Sequence, residues 1–80
     1  MSTLHIINDA RKQTLISVND GVIYIENGVY GMDKDQSGTT CYALTPDIEA
    51  RGLGLPKDVQ GVDYTGFVEL CTRYDKVVTW

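Results

Sequence analysis

Residues 41–53 read CYALTPDIEARGL, and the change of character halfway along this stretch decides the fold. The first half, with Thr39 and Thr40 before it, mixes β-branched, aromatic and small apolar residues and predicts a strand over residues 39–44. The second half opens a helix. Thr45 stands at the N-cap position, Pro46 at the first helical position, and Asp47 near the positive end of the helix dipole. Gly52, directly after Arg51, is a natural C-terminal stop. A strand that passes straight into a short helix is the building unit of an α/β protein.

Outward from this stretch, the same strand grammar recurs at even spacing. Residues 3–7 (TLHII), 22–25 (VIYI), 59–63 and 76–80 read as strands, with Asn8-Asp9 and Asn27-Gly28 as turns after the first two. Thr65 is placed to cap a helix running to about Arg73, in which Phe67, Leu70, Cys71 and Tyr74 share one apolar face. Residues 9–18 and 28–37 carry weaker helical patterns, the second interrupted by Gly31. Alternating strands and helices predict an α/β fold, a small mainly parallel β-sheet with short helices on its faces, in a single domain over residues 1–80.

Bulk properties narrow the function. A chain of 80 residues buries only roughly 60–65% of its unfolded surface, so association with other subunits is an attractive way to complete the burial. The net charge of −4 argues against direct nucleic-acid binding, since the seven basic residues are scattered and only Arg11 and Lys12 are adjacent. No segment approaches the roughly 20 apolar residues of a membrane span, and the N-terminus MSTLHIINDARK has no secretory pattern. A cytoplasmic location with both thiols reduced is the expectation.

Few residues suggest chemistry. A sulfur-carrying cysteine needs thiolate character, favoured at a helix N-terminus or beside a cation. Cys41 instead sits early in a strand, where a free cysteine behaves as a small core residue. Cys71 lies late in the last helix, facing the negative end of the dipole. His5, the only histidine, lies inside the first strand and suits a structural role or an interface contact. Asp33, Lys34 and Asp35 lack the spacing of a metal loop, and Gly52-Leu53-Gly54 follows a helix rather than preceding one, unlike a phosphate-binding turn. No cofactor or metal is expected. The residue types enriched at interface cores are the aromatics, so Tyr30, Tyr42, Tyr64 and Trp80, with His5, are the interface candidates.

Three stretches together resemble the DsrH/TusB family of sulfur-relay subunits: Ser2-Thr3-Leu4-His5-Ile6-Ile7-Asn8, like the family's SxLHxxN; Glu26-Asn27-Gly28-Val29-Tyr30, like its (E/Q)DG(V/I); and YALTPDIEARGL followed by VDYTGFVELCTRYDKVVTW, closing with the family's C-terminal Trp. The likeness covers most of the chain in the same order. It implies a DsrE/F/H-like α/β fold and assembly with DsrE/TusD-like and DsrF/TusC-like subunits into a heterohexamer. That complex passes persulfide sulfur to a DsrC/TusE-like acceptor, toward 2-thiolation of tRNA wobble uridine or toward cytoplasmic sulfur oxidation. The principal persulfide cysteine then belongs to the DsrE/TusD-type subunit. Some DsrH proteins carry a cysteine in the first helix, whereas residues 11–16 here have none, which points to a non-catalytic role. Two rival readings stand beside it: a sulfurtransferase using Cys41 or Cys71 directly, and a stand-alone homo-oligomeric binding module.

Overall fold

The structure is a computed structural model that describes residues 2–9, 20–31 and 40–79. Its elements in chain order are β1 (Thr3–Asp9), β2 (Gly21–Asn27), a single 3-10 turn (Gly28–Gly31), β3 (Thr40–Leu44), α1 (Thr45–Ala50), β4 (Val59–Val62), α2 (Tyr64–Arg73) and β5 (Lys76–Thr79). The five strands form one sheet in the order β4-β3-β2-β1-β5, and every pairing is parallel. The predicted α/β class is what the chain adopts. The chain builds outward from β1 to β4 on one side, then returns through α2 to place β5 on the other side of β1.

Register explains which residues face which way. His5 lies opposite Val22 and Val78, and Val22 opposite Cys41, which in turn lies opposite Val59. Strand alternation puts this row on one face of the sheet. There Ile7, Val22, Tyr24, Val29, Cys41, Ala43 and Val59 form a cluster closed by Ile48 of α1. The alternate residues Leu4, Ile6 and Ile23 point to the other face and meet Leu70 of α2. Helices therefore cover both faces, as parallel strands require. Among the described residues no helix is long and apolar enough to cross a membrane.

Several local expectations need correction. Asn8 and Asp9 do not turn; they extend β1, with a shift of register against β2 between Ile7 and Asp9. Thr45 does not cap α1. Leu44 occupies the N-cap with no side-chain bond, and the Thr45 hydroxyl donates instead to the Val62 carbonyl at 3.2 Å, tying the β3–α1 junction to β4. Pro46 supplies the helical φ at the start. Thr65 does not cap α2 either: Asp63 does, its carboxylate accepting from the Gly66 N–H at 2.7 Å, so the helix begins one residue before Thr65. Of the weak helix over residues 28–37, residues 28–31 form the 3-10 turn and the rest lie outside the described residues. The weak helix over residues 9–18 falls outside them too, apart from Asp9.

The Gly52 stop is present as read. Gly52 takes a φ of +64°, its N–H donates to Glu49 O at 3.1 Å, and the Leu53 N–H reaches Ile48 O at 3.1 Å. Only glycine enters the left-handed region without a Cβ penalty, so the arrangement ends α1 cleanly after two turns.

Candidate functional site

In an open parallel sheet, function gathers at the rim formed by the strand C-termini. Here that rim carries residues 26–30, a loop made of the last two residues of β2 and the 3-10 turn that follows, and the start of α1 after β3; the two are joined by a polar network. The Asp47 carboxylate accepts the Glu26 N–H through Oδ2 at 2.7 Å. One turn later, at the C-cap of α1, Arg51 donates through Nε and Nη2 to Asn27 Oδ1 at 3.3 and 3.2 Å. The same guanidinium donates through Nη1 to the Asp47 carbonyl at 3.2 Å and lies 3.7 Å from Asp47 Oδ1. Spacing of i and i+4 puts Asp47 and Arg51 on one side of the helix, where both reach the loop.

The loop they hold is unusual. Glu26 has a φ of +50°, a left-handed conformation that costs a side-chain-bearing residue about 1 kcal/mol or more. Gly28 then packs so closely under the Ile7 carbonyl that no side chain fits there. Val29 is fully buried in the α1-side cluster, while Tyr30 turns outward and is 54% exposed. The fold thus fixes the loop from below through Val29, from the side through Asp47 and Arg51, and leaves Glu26 and Tyr30 facing solvent.

The two thiols are kept apart. Cys41 is buried on the α1 side of the sheet, where burial, reinforced by the nearby Asp58, pushes its pKa up and disfavours thiolate. Cys71 is half-buried against the α2-side cluster. With the sheet between them they cannot form a disulfide. Among the described residues no group of three or more His, Cys, Asp and Glu side chains is arranged to hold a metal ion.

The remaining sequence candidates scatter. His5 is inside the molecule, its Nε2 2.8 Å from Asp20 Oδ2, and Asp20 also accepts the Thr3 N–H at 3.0 Å. This places His5 in a tie between the starts of β1 and β2, at the end of the sheet remote from the rim. Tyr42 is half-buried against the α2-side cluster, where it shares a hydrogen bond with Tyr74. Tyr64, at the first turn of α2, is 61% exposed. Trp80, with Asp33, Lys34 and Asp35, lies outside the described residues. Of the named candidates among the described residues, Tyr42 and Cys71 share a cluster. Sequence reading missed the Glu26, Asn27, Asp47 and Arg51 network. Its signals were the i, i+4 acid–base pair in PDIEAR and two of the three family-like motifs, which this network joins.

Comparison with known proteins identifies the family. The family model described as DsrH like protein matches residues 8–77. Protein TusB of Photorhabdus laumondii is 38% identical over 74 residues, covering 89% of this chain and 78% of the relative. Protein TusB of Salmonella dublin and of Salmonella arizonae are each 39% identical over 69 residues, 82% of this chain and 73% of the relative. A family match over residues 8–77 and relatives of this identity and coverage place the chain: it belongs to the DsrH family.

Proposed function

We propose that this chain is a sulfur-relay subunit that acts as a non-catalytic member of a DsrEFH/TusBCD-type complex. Membership of the DsrH family carries the reading. The placement of the thiols supports the non-catalytic part: Cys41 is buried against the sheet with its thiolate disfavoured, and Cys71, on α2, is partly covered where the helix meets the sheet. Neither presents sulfur from the rim where an α/β protein offers its reactive groups. In this reading the persulfide sits on a DsrE/TusD-like companion, a DsrF/TusC-like subunit completes the heterohexamer, and a DsrC/TusE-like protein accepts the sulfur. The named relatives belong to the Tus branch, which favours 2-thiolation of tRNA wobble uridine in the cytoplasm over sulfur oxidation as the downstream process.

Co-expression of the untagged chain with its two companion subunits tests the proposal, the expected product being a mixed hexamer on size-exclusion chromatography with light scattering. A chain that elutes alone, or as a stable homo-oligomer, in the presence of both companions refutes it. Because Cys71 is only half-covered, direct sulfur transfer is the second reading. Incubation with a persulfide donor followed by intact-mass measurement should leave this chain unmodified. A gain of one sulfur that disappears in Cys71→Ser would assign the sulfur to this subunit instead.

A further inference from the structure

The residue 26–30 loop has features that chain reversal alone does not require. Glycine or asparagine would take the φ of +50° at residue 26 with less strain, yet a glutamate stands there with its side chain exposed. Asp47 and Arg51 hold the loop in this shape, and Val29 anchors it in the core, so the outward Tyr30 is presented on a rigid support. A large aromatic with few rotors on a preformed loop loses little entropy when it is covered, which is what an interface anchor needs.

Charge narrows the partner. Glu26 and the Glu49 side chain of α1 are exposed, while the Arg51 guanidinium is engaged with Asp47 and Asn27. Outward-facing carboxylates repel nucleic-acid phosphates and anionic membranes and select a cationic surface.

We propose that residues 26–30 are the docking element of this subunit. Tyr30 is the anchor, and the Glu26 carboxylate selects a partner protein whose facing surface offers an apolar recess edged by Lys or Arg. The inference rests on the relay-subunit reading and adds to it the surface through which this chain engages a companion.

The test measures assembly of the full chain with its two companion subunits, alongside the melting temperature of each variant chain. Tyr30→Ala and Glu26→Lys should each weaken assembly about tenfold or more. Glu26→Asn should weaken it as well while keeping or raising the melting temperature, because asparagine relieves the left-handed strain and removes the charge. A purely structural loop predicts the opposite for Glu26→Asn: unchanged or stronger assembly. If the wild-type chain assembles and all three variants match it, the docking assignment is wrong and the relay reading survives. If the wild-type chain itself fails to assemble with those companions, both are wrong.

Discussion

Among the described residues, eight buried side chains on the α1 side of the sheet close into one cluster with Leu53 partly open at its border, whereas on the α2 side four buried residues are ringed by six that are partly open. The six are Ile25, Tyr42, Val62, Phe67, Cys71 and Tyr74. The cause is geometric. A helix of ten residues is about 15 Å long, too short to roof a sheet of five strands spaced about 4.8 Å apart. The exposed Val68 on α2 and Val77 on β5 continue the apolar character of this side. One face is a finished core, and the other is a core that ends in half-covered side chains, as expected of a small domain with marginal burial.

Two glycines test that difference most sharply. A Cβ at Gly28 would overlap the Ile7 backbone carbonyl beside the closed face, and a Cβ at Gly21 would overlap the phenol end of Tyr74 on the open face. Backbone cannot step aside, so Gly28→Ala should cost about 3 kcal/mol, enough to unfold much of a marginal domain. Tyr74 is a side chain in a half-open setting and can swing out, so Gly21→Ala should cost about 1 kcal/mol. Urea denaturation of both variants measures the contrast; equal losses would mean that the two faces are equally rigid.

The cysteines give the next effect. Cys41 is inside the closed face with its pKa raised, first by burial and then by Asp58, whereas Cys71 sits in the open ring. Under native conditions iodoacetamide should modify Cys71 at least about tenfold faster than Cys41, because thiolate fraction and access both set the rate. Peptide-level mass spectrometry reads the two sites separately. Comparable rates would show that the α1 side opens as readily as the α2 side.

The same contrast governs what could be read from the sequence. The strands and both helices were legible because each carries a local signal: β-branched runs, Pro46, the Gly52 stop, and the spacing of Phe67, Leu70 and Tyr74. Cap assignments were less so. Thr45 and Thr65 read as caps, but the Thr45 hydroxyl is drawn to the Val62 carbonyl by a tertiary contact and Asp63, one residue before α2, caps that helix. Strand order was not legible, since periodicity says nothing about which parallel strand lies beside which. The rim network was half visible. Asp47 and Arg51 announce themselves by spacing, but their targets, the left-handed Glu26 for Asp47 and Asn27 for Arg51, lie 21 and 24 residues upstream and are brought near through the β2–β3 pairing. The family motifs had marked both ends of that contact without giving its physical meaning.

The smallest effect concerns Tyr74, on the open face. Its phenol pKa is pushed up to about 12 by burial first, then by the hydrogen bond it shares with Tyr42 and the charges of Tyr42 and Asp20, with Arg73 opposing. A raised pKa means the folded state favours the neutral phenol. Its stabilising contribution is therefore complete below the unfolded value near 10 and is lost as pH rises toward about 12. The group is only partly buried, so screening keeps the loss small. Between pH 10 and 12 the wild-type chain should lose stability more steeply than Tyr74→Phe, which has no proton to release; subtracting the two denaturation profiles also removes the alkaline contribution of Cys41. Parallel profiles would mean that Tyr74 is as exposed in the folded chain as in the unfolded one, and would extend the open part of the α2 face to the end of the helix.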